Sequence, residues 1–412
     1  MSQTSLSIAV LLFTANLPTL AGELISKVIT DTAANVQVDQ WQHSANHGGT
    51  QWTITKSTLR GGRQEGVDVI DVDNGKLHFR VIPTRGMGIL SVACGDVRFG
   101  WNSPITEIVH PQYINLDARG GLGWLHGFNE WMVRCGLEWA GSPGTDTLIN
   151  NQGDEVDAEL SLHGRIANIP ATHVKIVVDG KSTPRIRVQG LVEEITFHGP
   201  KLAIATEIST EIGSHEFRIS DTVVNRSTSP QEMQLIYHTN FGRPILEKGA
   251  TLVAPVRRVA PINDTSAPNI GTYAVYAAPK PGYVEEVYCI HPKADSQGNV
   301  TIMLRNAAGD RGASMKWPIG QLPYLTQWKN TISEEDGYVT GLEPSTGFPY
   351  NRKLERKAGR VPVLEGGQSR DFTVDFAFLR NKAEVDAVDA AIGKIQGNTP
   401  PTVLIKPDTP GD

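Results

Sequence analysis

The feature of this sequence that most constrains its fold is a series of short runs in which apolar and polar side chains alternate. In residues 76–81 every second side chain is apolar, and the same pattern returns in residues 372–378. A side-chain period of two predicts a half-buried β-strand. Apolar runs bounded by turn residues predict further strands at 67–72, 88–93, 174–178, 186–191, 202–208 and 217–224.

Turn residues separate these runs. The chain has 41 glycines and 25 prolines among 412 residues, which favours many short strands over long helices. Only residues 382–395 have a helical pattern, and residues 101–141 read as irregular loops and short turns. With no internal repeat or clear linker inside 50–380, we expect one large antiparallel sandwich or barrel-like domain over about residues 30–380.

Charge and cysteine content exclude several classes of protein. The net charge is −6, with 20% charged and 39% hydrophobic residues, which is typical of a soluble globular protein. No basic stripe suggests a nucleic acid or an anionic membrane as partner. The three cysteines have no metal-binding or redox spacing, can form one disulfide at most, and are expected to be buried: Cys94, Cys135 and Cys289.

The two ends of the chain differ from the middle. Residues 1–22 lack charged side chains and contain an apolar run before Ala21, which resembles a signal peptide without its usual basic residues. The segment is too short for stable insertion into a membrane. We therefore expect export to the periplasm if it is cleaved and a cytoplasmic protein if it is a simple extension. Residues 381–412 are expected to form a short helix and, from 397 onward, a disordered Pro-rich tail.

Three segments place an ionisable side chain at the expected end of a strand. Glu343 follows the apolar run 338–342, and Pro344 is expected to stop that strand. His238 and His163 also follow apolar residues and precede turn residues. A histidine can donate or accept a proton near neutral pH, and an ionised glutamate can accept one. Taken one at a time, each residue could equally be a surface glutamate or a structural histidine.

Tryptophans indicate a possible sugar site. Four of the eight lie in residues 101–141, around the glycine-rich stretch 120–123, and Trp328 stands beside Lys329 in another predicted strand. Sugars bind with their C–H faces on aromatic rings while polar groups hold their hydroxyls. The alternative for any single tryptophan is a place in the core.

These segments together resemble the aldose 1-epimerase, or galactose mutarotase-like, superfamily, and more closely its bacterial branch known as DUF4432. The resemblance covers roughly residues 30–380 and implies an all-β fold, a large antiparallel β-supersandwich with few short helices and a sugar cleft on one concave sheet. The motifs that carry it are residues 58–67 (TLRGGRQEGV), 83–89 (PTRGMGI), 134–138 (RCGLE), 163–168 (HGRIAN), 328–330 (WKN) and the loop at Glu343.

The resemblance also implies roles for individual residues. His238 would be the general acid, Glu343 the general base, and His163 an assistant at the anomeric and ring oxygens. Five further side chains within or near the motifs are expected to bind the sugar: Arg134, Glu285, Trp328, Asn168 and Lys329.

The expected reaction is the interconversion of sugar anomers by acid–base ring opening, with a small-molecule sugar as partner and no metal or organic cofactor. The sequence departs from mutarotases at residues 348–351 and at Glu285, where an aspartate is usual, so the identity of the sugar does not follow. Two alternatives stay open, because a fold does not fix a function: a non-catalytic sugar-binding or sensing protein, and a lyase or glycosidase. The oligomeric state is not determined by the sequence.

Overall fold

Two large β-sheets make up most of the structure, a computed structural model that describes residues 23–180 and 182–408. In that part of the chain the strands are β1 Glu23–Asp31, β2 Val36–Gln37, β3 Trp41–His47, β4 Thr50–Thr58, β5 Asp68–Asp73, β6 Leu77–Ile82, β7 Gly88–Cys94, β8 Val97–Arg98, β9 Met132–Leu137, β10 Gly144–Ile149, β11 Glu155–Leu160, β12 His173–Asp179, β13 Arg185–Ile195, β14 Lys201–Glu211, β15 Glu216–Asn225, β16 Gln231–Glu232, β17 Gln234–Phe241, β18 Thr251–Val253, β19 Val256–Pro261, β20 Glu286–Pro292, β21 Asn299–Arg305, β22 Gly312–Pro318, β23 Tyr324–Asn330, β24 Val339–Ser345, β25 Val363–Leu364, β26 Ser369–Leu379 and β27 Thr402–Val403. The α-helical segments are α1 Ala118–Gly121, α2 Arg352–Lys357 and α3 Lys382–Gln396.

The strands assemble into a sandwich. A ten-stranded sheet has the order β18-β21-β22-β26-β15-β14-β13-β12-β1-β2. A thirteen-stranded sheet has the order β27-β19-β20-β23-β24-β17-β9-β7-β6-β5-β4-β3, with β8 beside β7. Neighbours run antiparallel in both sheets, apart from the parallel pair β19–β27. The predicted all-β supersandwich with few short helices is confirmed.

The main hydrophobic core lies between the two sheets. In β13 buried side chains alternate with partly exposed ones along the strand, because one face packs inward and the other faces solvent. Side chains from both sheets meet in this core, including Phe217 of the ten-stranded sheet and Phe79 of the thirteen-stranded sheet, whose rings are 5.3 Å apart. The strands predicted from period-two patterns at 76–81 and 372–378 are confirmed as β6 and β26.

Three adjacent strands of the thirteen-stranded sheet were not predicted correctly. In β9, β17 and β24 every residue is buried, so no polar face breaks their sequence into an alternating pattern. The expectation of loops throughout 101–141 is therefore wrong at β9. His238 lies within β17 and Glu343 within β24, so neither ends its strand, and β24 continues through Pro344 to Ser345.

The C-terminal segment also differs from the expectation. The helical pattern at 382–395 corresponds to α3, but part of the segment expected to be disordered is ordered. Thr402–Val403 pairs with Arg258 and Val259 at the edge of the thirteen-stranded sheet. Backbone pairing at an open sheet edge is the physical reason, since it satisfies N–H and C=O groups that the edge strand would otherwise leave to water.

All three cysteines are free and buried, as expected. The possible signal peptide at residues 1–22 lies outside the described residues. Among the described helices, none combines the length and apolar character needed to cross a membrane.

Candidate active site

A cavity of about 380 Å³ opens on the face of the thirteen-stranded sheet that points away from the main core. Its floor is formed by β17, β23 and β24, and segment 122–128 covers one side. The lining residues are Leu122, Trp124, Leu125, Phe128, Ser142, Pro143, Leu162, His163, His238, Ile262, Asn263, Glu285, Val287, Thr326, Trp328, Glu343 and Pro349. The cavity therefore contains all three residues predicted to carry out proton transfer.

His238 and Glu343 contact each other across neighbouring strands. The pairs Ile236–Ser345 and Thr239–Leu342 set a register that puts His238 opposite Glu343. The imidazole Nε2 lies 3.2 Å from the carboxyl Oε1, and both side chains are almost fully buried. Side chains directly opposite in an antiparallel pair are close enough to interact, so this contact follows from the register.

Burial shifts the pKa of both groups. The pKa of Glu343 lies well above its usual value because burial disfavours the carboxylate, and the charge of Glu285 adds to the effect. The pKa of His238 lies well below its usual value because burial disfavours the imidazolium, with a further contribution from His163. Both shifts favour an uncharged pair in which Glu343 keeps a proton next to an unprotonated imidazole nitrogen. The pair thus holds one proton that either partner can carry.

His163 completes the polar floor. Its ring lies 5.4 Å from that of His238, and burial lowers its pKa to about 4, so it is neutral at neutral pH. Its Nδ1 lies 2.9 Å from the carbonyl oxygen of Ala140, which can only accept, so Nδ1 carries the hydrogen and donates. The other nitrogen, Nε2, is then a hydrogen-bond acceptor.

The backbone conformation explains why glycine follows His163 in the sequence Leu162-His163-Gly164. His163 lies in a turn with φ 61°, in the left-handed region that few non-glycine residues occupy. At the following Gly164, a Cβ would come within 2.1 Å of the carbonyl oxygen of Trp139. Only glycine permits this close approach, so the motif fixes the position of the His163 ring.

Gly341 keeps space beside the His238–Glu343 pair. It precedes Glu343 by two residues in β24, so its position faces the same side of the sheet. A Cβ at Gly341 would lie 2.7 Å from Oε1 of Glu343 and 3.1 Å from Cε1 of His238. Any side chain there would displace the carboxyl group.

Aromatic rings surround the polar floor. Trp124 packs edge-on against His163 with the ring centroids 4.7 Å apart, and Phe128 and Trp328 contact the His238 ring at 5.4 and 5.5 Å. These rings shield His163 and His238 from solvent and present apolar surface to the cavity. The sequence indicated Trp328 and the Trp-rich segment, but Trp101 and Trp131 belong to hydrophobic clusters and not to the cavity lining.

Glu285, predicted to bind the sugar, lines the cavity and is exposed. Its Oε2 accepts a hydrogen bond of 2.7 Å from Nε1 of Trp328. This bond orients the indole ring against the cavity.

Arg134, predicted to contact the sugar, does not line the cavity. Arg134 is the neighbour of Cys135 in β9, and its side chain points between the two sheets, where it is buried. Its guanidinium donates to both carboxyl oxygens of Asp221, to the Thr206 hydroxyl and to the carbonyl of Met87. Alternation along the strand turns Arg134 away from the face on which His238 lies.

Lys329 and Asn168 do not line the cavity either. Lys329 follows Trp328 in β23 and points to the opposite face, where its Nζ donates to the carbonyl of Val275 at 2.9 Å. Asn168 lies in a 3-10 turn behind His163. For Lys329 the reason is that neighbours in a strand point to opposite faces.

Several cavity residues were missed from the sequence. Thr326 lies opposite Glu343 in the β23–β24 pair, and its buried Oγ1 has no hydrogen-bond partner within the described part of the protein. Phe128 and Val287 were also missed. The signal that could have found Thr326 was its place two residues before Trp328, on the same face of a predicted strand.

The loop that departs from the mutarotase pattern forms part of the cavity wall. The carbonyl of Pro349 accepts hydrogen bonds from the backbone N–H and the hydroxyl of Ser142, at 3.0 and 2.7 Å. Arg352 is buried and pairs with Asp146 of β10 at 2.6 Å. The loop therefore ties the root of the β10–β11 hairpin to the site. Within the described residues, no group of three or more His, Cys, Asp or Glu side chains could hold a metal ion.

Comparisons with known proteins agree with this architecture. A family model described as "Domain of unknown function (DUF4432)" matches residues 64–378. None of the curated proteins matches the chain. A solved structure from Klebsiella pneumoniae subsp. pneumoniae MGH 78578, provisionally described as an aldose 1-epimerase, is 37% identical with a TM-score of 0.88, over 93% of this chain and 99% of that chain.

A more distant structure shares only the fold. The galactose mutarotase-like protein of Clostridium acetobutylicum is 14% identical with a TM-score of 0.51, over 83% of this chain and 99% of that chain.

Proposed function

Because the chain belongs to the DUF4432 family, we propose that it is a carbohydrate-binding, aldose 1-epimerase-like enzyme that interconverts sugar anomers by opening and closing the sugar ring. The observation that carries the proposal is the buried contact between His238 and Glu343 on the floor of a cavity lined by aromatic rings. The similarity to the Klebsiella pneumoniae protein supports the same class of reaction.

The reaction requires two coordinated proton transfers. In the ionised form of the pair, the Glu343 carboxylate takes the proton of the anomeric hydroxyl, and the His238 imidazolium gives a proton to the ring oxygen. The bond between C1 and the ring oxygen breaks, and C1 becomes an aldehyde carbon. Rotation about the C1–C2 bond and the reverse transfers then give the other anomer. No atom changes its oxidation state over the cycle, so the proposed reaction needs no redox cofactor.

The buried environment suits this cycle. Ring opening leaves Glu343 protonated and His238 neutral, which is the uncharged pair that burial favours. The buried cavity thus favours the uncharged pair with the open-chain sugar over the ionised pair with the closed ring. The pair and the sugar together keep the same number of protons throughout. Each positioned proton transfer contributes about 10²- to 10⁴-fold to the rate.

His163 has a defined role in this scheme. Because its Nε2 is an acceptor at neutral pH, it can receive a hydrogen bond from a sugar hydroxyl next to the anomeric centre. That bond would orient the sugar so that the proton of its anomeric hydroxyl faces Glu343. A donor role at the ring oxygen is left to His238.

The test is the rate of anomer exchange in free sugars, followed by NMR exchange spectroscopy across a broad panel. The wild-type protein is expected to accelerate exchange for at least one sugar, and Glu343→Gln to reduce the acceleration by about 10²-fold or more. Glu335→Gln makes the same chemical change at an exposed position and is expected to keep full activity. A protein that binds a sugar by calorimetry but never accelerates exchange would instead be a sugar-binding protein.

A further inference from the structure

The cavity divides into a polar floor and apolar walls. Thr326, Glu343 and His238 stand side by side on three neighbouring strands and form the floor together with His163. The walls are apolar on both sides of that row. One wall consists of Ile262, Val287 and Pro349, and the other of Leu122, Trp124, Leu125, Phe128 and Leu162.

The polar groups at the rim are partly engaged within the protein. The Ser142 hydroxyl donates to the carbonyl of Pro349 at 2.7 Å. Oδ1 of Asn263 accepts from the backbone N–H and hydroxyl of Ser266, each at 3.0 Å. Oε2 of Glu285 accepts from Trp328. Away from the floor, hydrogen bonds from side chains to sugar hydroxyls are therefore limited to a few atoms, chiefly the amide nitrogen of Asn263, Oε1 of Glu285 and the unpaired Nε1 of Trp124.

A fully hydroxylated sugar would bind less well against the apolar walls, because a hydroxyl that loses water and finds no partner is costly to bury. A charged substituent would fit still less well. Among the described residues that line the cavity there is no lysine or arginine, while two carboxyl groups are present, Glu285 and Glu343. A phosphate, sulfate or carboxylate on the sugar would meet no cation and one or two like charges.

We infer that the substrate is an uncharged sugar with a deoxygenated edge, such as a 6-deoxyhexose, whose methyl group lies against an apolar wall. This inference rests on the proposed function and names the class of sugar for the same site. An apolar wall favours a methyl group over a hydroxymethyl group only modestly, so we expect a preference of about 10- to 100-fold in kcat/KM.

The experiment compares sugars that differ only in the oxygen at C6. Anomer exchange is measured for L-fucose against L-galactose, L-rhamnose against L-mannose, and 6-deoxy-D-glucose against D-glucose, with D-glucose 6-phosphate as the anionic probe. The expected result is that in the best-used pair the deoxy sugar has the higher kcat/KM, by about 10-fold or more, and that the phosphorylated sugar is the poorest substrate. If the hydroxylated partner is used equally well or better, or if the phosphorylated sugar is preferred, the inference is overturned although the epimerase function stands. If no sugar is exchanged, the proposed function fails as well.

Two wall variants provide a matched control. Val287→Thr keeps the size of the side chain and Ile262→Thr shortens it by one atom, each adds a hydroxyl to one wall, and both positions are only partly buried. Each variant is expected to lower the ratio of deoxy to hydroxylated kcat/KM by about 3-fold or more, chiefly by improving the hydroxylated sugar. Leu122→Asn and Leu162→Asn test the opposite wall in the same way. A ratio that none of the four variants changes would overturn the assignment of the preference to the walls.

Discussion

Replacing Glu343 by glutamine is expected to abolish activity while making the folded protein more stable. Glu343 is almost completely buried, and its carboxyl Oε1 lies 3.2 Å from Nε2 of His238. Glutamine has nearly the same shape but cannot ionise, so the change removes the titration and little else. Loss of one proton-transfer group is expected to lower the rate of anomer exchange by about 10²- to 10⁴-fold.

The change of this stability effect with pH follows from the direction of the pKa shift. The folded-state pKa of Glu343 is raised above its unfolded value of about 4.3. The stability that this carboxyl contributes is present below the unfolded pKa and is lost as the pH rises towards the folded pKa. The advantage of the glutamine variant should therefore grow by up to about 1.4 kcal/mol per pH unit in that interval. Both proteins keep His238, so its own titration largely cancels in the difference.

The assay is urea unfolding of both proteins at several pH values between about pH 5 and about pH 8, combined with anomer exchange by NMR. Glu335→Gln, at an exposed position, serves as the control and should show no pH-dependent difference. The reasoning would be refuted if Glu343→Gln destabilised the protein by the same amount at every pH. It would also be refuted if the variant kept wild-type activity.

Three further predictions concern the surroundings of the pair. Arg134→Met leaves Asp221 buried without its partner and should lower the free energy of unfolding by about 3–5 kcal/mol in urea titrations. Gly341→Ala should reduce kcat by about 10²-fold, measured by anomer exchange, because the new methyl group displaces Glu343. The acid limb of the pH–rate profile should lie near about pH 4, where His163 becomes protonated.

Each of these predictions has a control. Arg218→Met breaks a half-exposed pair with Asp375 and should cost only about 0–1 kcal/mol, so equal losses at Arg134 and Arg218 would contradict the assignment of Arg134 to the core. Gly320→Ala adds a methyl group with no other atom within 4 Å and should leave kcat unchanged. An acid limb centred near pH 6.5, the usual pKa of histidine, would contradict the lowered pKa values of the two histidines.

The strands with one face on the core and one face towards solvent were the easiest to predict. In β6, β13 and β26 one face meets the core and the other meets solvent, so the sequence carries a period of two. β9, β17 and β24 lie in the middle of the large sheet and are buried on both faces. Because neither face meets solvent, their sequences do not alternate between apolar and polar residues. For that reason their limits and the positions of His238 and Glu343 within them were predicted incorrectly.

The site was predicted in part for a similar reason. His163, His238, Glu343, Glu285 and Trp328 line one cavity. Arg134, Lys329 and Asn168 belong to the motifs at 134–138, 328–330 and 163–168 but do not line it. A motif records neighbours along the chain, whereas a cavity selects every second residue of a strand.

The sequence by itself determined the class of fold and the kinds of groups available for chemistry. Alternating runs broken by glycine and proline require a β-rich domain, and two histidines with one glutamate are groups that can carry a proton. Only the tertiary structure decided that His238 and Glu343, on strands far apart in the chain, lie 3.2 Å from each other. It also decided that the walls beside them are apolar, because the register and facing of each strand depend on partners that no local pattern encodes.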